Sequence, residues 1–237
     1  MSEAAAPPVA SEAAPEAAVS APALELSGIV KSWPGLPRVL DDVTLTLEAG
    51  SAIAIFGANG IGKTTLLRIA SGLILPDGGT VRLQGLDPEA QRTEFQRRLG
   101  FLSAGNSGLY ARLKPEHHLD MWARLALIPK ARRGEAIARV RELFDLDVLC
   151  GRRVDRLSMG QRQRLRLALA FLHDPDVVLL DEPGTSLDDA GLELVRQAVE
   201  SIKSRGGAAI VCLPGHWEEL GIADSAYELA NGSLVRA

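Results

Sequence analysis

The sequence has few cysteines, little net charge and no long apolar run, and each shortage excludes a class of protein. Cys150 and Cys212 are the only cysteines among 237 residues, which favours a reducing compartment and inert, buried thiols. The formal net charge is −4, which gives no electrostatic case for nucleic acid as a partner. No apolar run approaches the roughly 18–20 residues of a membrane span, so a membrane role would require a partner chain.

The first 22 residues also lack apolar blocks, and they consist mostly of Ala, Pro, Glu and Ser. We expect a disordered tail here, because so little apolar surface cannot offset the entropy lost on ordering. The first basic residue is Lys31, so the tail is not expected to be a secretory signal. Residues 23–237 are long enough for one good-sized domain, or one domain with a small lobe.

One segment carries a phosphate-binding pattern. Gly57–Thr64 reads Gly-Ala-Asn-Gly-Ile-Gly-Lys-Thr and matches G-x-x-x-x-G-K-[ST] in full, between a strand-like run and a helical run that Gly72 can end. Its glycines allow positive φ and close approach to a phosphate, while Lys63 supplies a charge for the β- and γ-phosphates. The Thr64 hydroxyl is expected to ligate Mg²⁺. The candidate ATP-binding residues here are Gly57, Ala58, Asn59, Gly60, Ile61, Gly62, Lys63, Thr64 and Thr65.

Two acidic residues follow the apolar run 177–180, which is typical of a buried parallel strand. Ligands bind at the carboxyl edge of such sheets, so Asp181 is expected to coordinate Mg²⁺. Glu182 is the candidate general base that polarises the attacking water. His216 lies just beyond the next strand-like run, Ala208–Leu213, and is a candidate contact for the γ-phosphate.

The remaining pattern suggests a small sheet and an inserted lobe. Leu24–Ser32 and Val39–Glu48 read as strands joined by a proline- and glycine-rich turn. Trp33, at the end of the first strand, either stacks on a purine or caps the small sheet. A helical pattern from Pro115 to about Asp147 interrupts the α/β order, and the lobe is expected at about residues 105–160. The expected fold class is α/β: a P-loop NTPase core with a mostly parallel sheet, a small antiparallel β subdomain and an inserted helical subdomain.

A second motif, Leu157–Gln161, reads Leu-Ser-Met-Gly-Gln and opens a strongly helical run. Taken alone, it is an ordinary helix cap. Together with the phosphate loop, the acidic strand end, Asp188 and His216 in the same order, it makes residues 23–237 resemble the ATP-binding subunit of ABC transporters. The resemblance implies that Trp33 stacks on adenine, and it adds four residues to the ATP site: Ser158, Gly160, Gln161 and Asp188.

The resemblance also implies cofactors, partners and a location. It implies ATP with Mg²⁺, and a head-to-tail dimer, either a homodimer or a pair with a second ATPase subunit. It implies a separate multi-span membrane permease, and so a chain at the cytoplasmic face of the membrane. Gly108–Lys114 is similar to the same region of exporters whose ATPase is a separate chain, so we expect ATP hydrolysis that drives export. The rival interpretations are a soluble ABC ATPase of an assembly machine and a nucleotide-gated module that does not hydrolyse ATP.

Two positions depart from the family pattern. Met159 stands where the signature usually has Gly, and we expect this change to be tolerated. Ala104 falls where the family carries a Gln that helps to place Mg²⁺ and the attacking water. Ser103 and Asn106 are the nearest polar residues that could replace this Gln.

Overall fold

The structure, a computed structural model, describes residues 21–35, 37–105, 108–215 and 221–237. Nearly all of the tail expected to be disordered lies outside these ranges, and so do Asn106 and His216. Within the described ranges, no helix combines the length and the apolar character that a bilayer crossing requires.

Strands and helices alternate through most of the described chain, as the α/β prediction requires. Short 3₁₀ turns at Asp147–Leu149 and Val154–Arg156 lie within the helical part. The elements in chain order are β1 (Leu24–Ser32), β2 (Arg38–Leu47), β3 (Ala52–Phe56), α1 (Lys63–Ala70), β4 (Gly78–Leu83), α2 (Arg92–Arg98), β5 (Leu99–Leu102), α3 (Pro115–Leu125), α4 (Lys130–Leu143), α5 (Met159–Phe171), β6 (Val177–Asp181), α6 (Asp189–Lys203), β7 (Ala208–Leu213), β8 (Ser225–Ala230) and β9 (Ser233–Arg236).

The larger sheet has the strand order β5-β6-β7-β3-β8-β9. Every pairing in it is parallel except that of β8 with β9. β6 and β7 are buried along their whole length, which explains their unbroken apolar runs. Because the strands run the same way, the phosphate loop after β3 and the acids at the end of β6 emerge at one edge. The sequence did not predict β8 and β9.

The smaller sheet is antiparallel, with β1 between β2 and β4. In β2 the predicted alternation is present, since Val43, Leu45 and Leu47 are buried and the residues between them are exposed. The apolar residues form two cores on opposite faces of the larger sheet. One core lies between that sheet, α1 and the small sheet, and the other lies under α3 to α6.

The helical pattern predicted from Pro115 to about Asp147 corresponds to α3 and α4. The chain forms two helices, and the break between them contains Leu127, whose φ is 57°. Pro129 explains the break, because the residue before a proline is disfavoured in the α conformation. The lobe is tied to α5 by an edge-on contact of Phe144 with Phe171, whose ring centres are 5.3 Å apart.

His118 holds the entry to the lobe. It is fully buried, its Nε2 accepts a hydrogen bond from the Tyr110 N–H at 2.8 Å, and its Nδ1 lies 3.1 Å from the Lys114 carbonyl. Burial lowers the pKa of this imidazole, and only the neutral ring can accept the Tyr110 bond. Packing and hydrogen bonding within the lobe thus account for His118.

Candidate functional site

The phosphate loop leaves β3 and ends as α1 begins. Gly57, Gly60 and Gly62 have φ of 150°, 78° and 121°, so the positive φ predicted for all three is confirmed. At two of them, neighbouring atoms also leave no room for a side chain. A Cβ at Gly57 would lie 2.6 Å from the Leu229 carbonyl oxygen, and one at Gly62 would lie 2.8 Å from Val39 Cγ1. β8 and β2 therefore set the shape of the loop.

Lys63 folds back into this loop. Its side chain is buried, and its Nζ donates to the carbonyl oxygens of Gly57 at 2.6 Å and of Ala58 at 3.0 Å. The ammonium group is therefore fixed by the backbone of the loop rather than ranging through solvent. A fixed charge at this point is suited to the phosphates of a nucleotide.

The N-terminus of α1 supplies backbone donors. Gly62 is its N-cap, and no side chain within the described residues caps the helix. First-turn N–H groups have no acceptor inside a helix, and the helix dipole adds partial positive charge there. Thr65 is half-buried in this turn, while Ala58 and Asn59 are exposed before it. Together these groups have an arrangement that suits an anion.

The acidic strand end meets the phosphate loop directly. Thr64 Oγ1 donates to Asp181 Oδ2 at 2.7 Å, and Asp181 is only 1% exposed. A hydroxyl and a carboxylate oxygen at one point are hard donors that fit Mg²⁺. Within the described ranges there is no cluster of three or more His, Cys, Asp or Glu residues that would suit a metal held by protein alone.

Glu182 stands directly after this strand in an uncommon backbone conformation, with φ of 50°. Its N–H donates to the Cys212 carbonyl of β7 at 2.9 Å, which fixes the backbone beneath the carboxylate. The Cys212 thiol is fully buried, and burial raises its pKa well above the usual value. That thiol therefore stays protonated and unreactive beside the acids.

Ser158 begins α5 with a capping box. Its Oγ accepts from the Gln161 N–H at 3.2 Å, and the Gln161 side-chain oxygen accepts from the Ser158 N–H at 3.1 Å. Met159 is 51% exposed, so the change from Gly places its side chain in solvent. A Cβ at Gly160 would lie 2.6 Å from the Ser186 carbonyl oxygen. The loop after β6 thus rests on the first turn of α5.

Asp188 and Trp33 are the remaining ATP-site candidates among the described residues. The Asp188 carboxylate accepts from the Gly191 N–H at 2.9 Å and so caps α6. Trp33 is 38% exposed, and Lys31 Nζ lies 5.1 Å from its ring centre. An exposed ring fits stacking on a purine, and its place after β1 fits a cap on the small sheet. His216 cannot be placed against them, since it lies outside the described residues.

Two residues near the site were missed at the level of sequence. Gln163 and Arg166 lie on α5, are 4% and 6% exposed, and hydrogen-bond each other at 2.7 Å. The Gln163 amide also donates to the Pro183 carbonyl at 3.0 Å, and Arg166 donates to the Ser103 carbonyl at 2.5 Å. The available signal was their spacing, because both follow Gly160 at intervals of one helical turn within an apolar run.

Comparison with known proteins places these features in a family. A family model described as ABC transporter matches residues 40–185. The ABC transporter ATP-binding protein NatA of Bacillus subtilis (strain 168) is 33% identical over 201 residues, which cover 84% of this chain and 80% of NatA. The phosphonates import ATP-binding protein PhnC 1 of Natronomonas pharaonis is 36% identical over 217 residues, which cover 90% of this chain and 91% of PhnC 1.

A solved structure shows the same fold. It is the dimeric post-hydrolysis state of the ATP-binding cassette MJ0796 bound to ADP and Pi. Its TM-score is 0.78 at 21% identity, and the match covers 90% of this chain and 97% of that chain. The P-loop fold with its mostly parallel sheet and small antiparallel sheet, as predicted from the sequence, is confirmed.

Proposed function

Because the chain belongs to the ABC transporter family, as an ATP-binding subunit that hydrolyses ATP, we propose that it drives export through a separate membrane permease. The ATP-hydrolysing site that would power transport rests on the 2.7 Å hydrogen bond from Thr64 to Asp181, which joins the phosphate loop to the acidic strand end. The export direction rests on the similarity of Gly108–Lys114 to exporters whose ATPase is a separate chain. NatA is named as an ABC transporter ATP-binding protein and PhnC 1 as an import ATP-binding protein, which disfavours a soluble assembly machine. Membership of a transporter ATPase family disfavours a module that does not hydrolyse ATP.

ATP binding is assigned to the phosphate loop and its helix. The backbone of Gly57–Thr65 would surround the phosphates, and Lys63 would place its ammonium on the β- and γ-phosphates. Trp33 would stack on the adenine, since its ring is exposed beside the strand whose Val39 contacts Gly62.

Thr64 and Asp181 would hold Mg²⁺, because their oxygens already lie within hydrogen-bonding distance of each other. When bound, the ion neutralises charge on the transferred phosphoryl group. The Asp181 carboxylate is buried, which keeps it aimed at the phosphate loop.

Glu182 is proposed to orient the attacking water and to accept its proton. Its backbone N–H is bound to the Cys212 carbonyl, so the carboxylate is displayed from a fixed point at the sheet edge. His216 is proposed to contact the γ-phosphate, on the strength of its sequence position beyond β7.

A second chain would complete the site. Ser158, Gly160 and Gln161 of one chain would face the phosphate loop of the other, in a homodimer or with a second ATPase subunit. The Ser158 hydroxyl accepts one hydrogen bond within α5, which leaves its proton to donate to a phosphate. Asp188 would lie at the edge of this contact, at the start of α6.

An apolar groove supports the permease contact. Leu73 and Leu125 are 52% and 64% exposed at its rim, and it holds about 460 Å³ beside Phe101 and Trp122. Trp122 Nε1 is buried there without a hydrogen-bond partner among the described residues. A permease segment with apolar side chains would cover the exposed leucines, and it would hold the chain at the cytoplasmic face of the membrane.

The test of catalysis is Glu182→Gln, which keeps the shape of the side chain and removes the base. Turnover should fall by roughly 10²–10⁴-fold, the scale expected for the loss of a general base. ATP should still bind, and size-exclusion chromatography with Mg·ATP should show an accumulated dimer. Retained hydrolysis, or a variant that stays monomeric with Mg·ATP, would refute the assignment.

The test of the partner uses two leucines. Leu125→Asp should abolish co-purification with the permease, while Leu127→Asp should not, because Leu127 is 59% exposed but lines a different cavity. Direction is tested in vesicles that carry the ATPase outside, with radioactive Na⁺ and labelled cationic drugs as probes. ATP-driven uptake into the lumen supports export, and loss of preloaded label contradicts it.

A further inference from the structure

The first turns of α5 contact two loops at the carboxyl edge of the larger sheet. Gly160 lies against the Ser186 carbonyl, Gln163 donates to the Pro183 carbonyl, and Arg166 donates to the Ser103 carbonyl. The three α5 residues are one turn apart, so they form one stripe on the helix. This stripe faces the segment after β5 and the segment after β6, which leave neighbouring parallel strands.

Gln163 and Arg166 form a continuous line of hydrogen bonds. The Gln163 amide nitrogen donates to the Pro183 carbonyl at 3.0 Å, and its oxygen accepts from Arg166 Nη1 at 2.7 Å. The Arg166 Nη2 then donates to the Ser103 carbonyl at 2.5 Å. Burying an amide and a guanidinium is unfavourable unless their hydrogen bonds are made, so each bond holds the next in place.

The line ends at the peptide bond between Pro183 and Gly184, one residue after Glu182. The Glu182 N–H is held by the Cys212 carbonyl, and the carbonyl of Pro183 is held by Gln163. Proline has no N–H, so this carbonyl is the one backbone group through which residue 183 can be fixed by a hydrogen bond. The carboxylate of Glu182 is therefore displayed from a backbone clamped on both sides.

We infer that Gln163 and Arg166 are positioning residues, which hold the backbone of Glu182 at catalytic distance by tying the segment after β6 to the segment after β5. The inference rests on the proposed role of Glu182 as the base. A displacement of about 1 Å at a reacting group can cost roughly 10²-fold in rate. Loss of the line should thus affect turnover much more than ATP affinity, because neither residue belongs to the phosphate loop.

Gln163→Glu removes one of the two hydrogen bonds of the Gln163 amide, the one to Pro183, and leaves the one with Arg166. The variant keeps the size of the side chain and its contact with Arg166, but it has no N–H to give to the Pro183 carbonyl. In the full chain, kcat for ATP should fall by roughly 10–100-fold, with KM changed by less than about threefold. Arg166→Met should give a similar loss. Arg166→Lys should restore part of the rate, because its ammonium can still donate a hydrogen bond to one of the two acceptors.

The double variant tests whether the two residues act as one line. Gln163→Glu combined with Arg166→Met should lower kcat by no more than the larger single effect, since the line is already broken. Arg164→Met is the matched control, because Arg164 lies on the same helix and hydrogen-bonds the Asp145 carbonyl instead. The control should lower the melting temperature while its kcat stays at the parental value.

The measurements distinguish a failure of the positioning role from a failure of the proposed base. If Gln163→Glu is folded and keeps the parental kcat, the inference is wrong, even if Arg166→Met fails to fold. An equal loss of kcat in Arg164→Met would also overturn it, because the effect would then reflect stability alone. Glu182→Gln is measured in parallel: hydrolysis retained there refutes the proposed base, whereas hydrolysis lost there but kept in Gln163→Glu refutes the positioning role only.

Discussion

The helices α1 and α5 both begin at residues assigned to phosphate, but their first turns are completed in different ways. α1 starts at Gly62, and within the described chain no side chain caps it, while Lys63 is bonded to the loop backbone. α5 starts with the reciprocal Ser158 and Gln161 capping box. The first-turn N–H groups of α1 therefore remain available to a ligand. In α5 the Ser158 side chain already accepts from the Gln161 N–H, so fewer of its first-turn N–H groups remain available. This difference fits the proposed composite site, in which α1 can bind phosphate within a single chain and α5 contributes only to the site of a partner chain.

Among the variants that distinguish the N-terminus of α1 from that of α5, Lys63→Ala is expected to have the largest effect, which is on ATP affinity. The substitution removes a cation that faces several phosphate oxygens, and charge-assisted bonds of this kind are strong. ATP affinity of the isolated chain, measured by calorimetry with Mg²⁺, should fall by at least about 10²-fold. Near-parental affinity would show that the backbone of α1 binds the phosphates without the ammonium.

Alanine substitutions at two glycines test the close contact between α5 and the Ser186 carbonyl. Gly160→Ala places a Cβ 2.6 Å from the Ser186 carbonyl, so the loop or the helix must move. Gly134→Ala in α4 is the control, since no heavy atom outside its own helix lies within 4 Å of its Cβ. Gly134→Ala should stabilise the chain by up to about 1 kcal/mol, the usual difference in helix propensity. Gly160→Ala should destabilise it, and urea unfolding that shows equal stabilisation of both would refute the contact.

Ser158→Ala removes the capping box but leaves the phosphate loop intact. The free energy of unfolding should fall by about 1 kcal/mol, the typical loss for a helix N-cap. ATP affinity of the single chain should stay at the parental value, in contrast to Lys63→Ala. A parallel fall in affinity would mean that α5 contributes to nucleotide binding within one chain.

The smallest effect is expected from a fall in pH, which should destabilise the helical lobe that precedes α5. Burial lowers the pKa of His118 in the folded chain below its ordinary value of 6.5. As the pH falls, His118 therefore takes up a proton in the unfolded chain before it does so in the folded chain. Its contribution to the free energy of unfolding is complete above pH 6.5 and is lost as the pH falls through the lowered pKa. Chemical unfolding at several pH values should show a weaker acid dependence in His118→Gln than in the parent.

The sequence predicted the parts of the site that depend on neighbouring residues. The phosphate loop, the strand before it and the helix after it follow from a run of adjacent residues, and the glycine φ angles agree. The meeting of Thr64 with Asp181 also agrees with the expectation that both hold one ion. Because the acids end a strand and the loop follows another, their meeting at one sheet edge follows from parallel pairing.

Contacts between distant segments were not predictable in the same way. The bond from Gln163 to Pro183 requires a turn of α5 to face a loop from another strand, and no local pattern encodes that orientation. β8 and β9 were missed because their burial patterns are irregular and their runs are short. The break before α4 did have a local signal in Pro129, which the helical periodicity on either side obscured.

The position of β3 within the larger sheet has a consequence for the order in which a nascent chain becomes active. β3 leads into the phosphate loop, yet its two neighbours are Ala208–Leu213 and Ser225–Ala230, and Gly57 lies against the carbonyl of Leu229. A ribosome therefore makes the nucleotide-binding residues long before the strands that shape them. Tight binding of ATP can begin only when β8 has been translated and has left the exit tunnel, so an incomplete chain would neither sequester nucleotide nor compete for a partner.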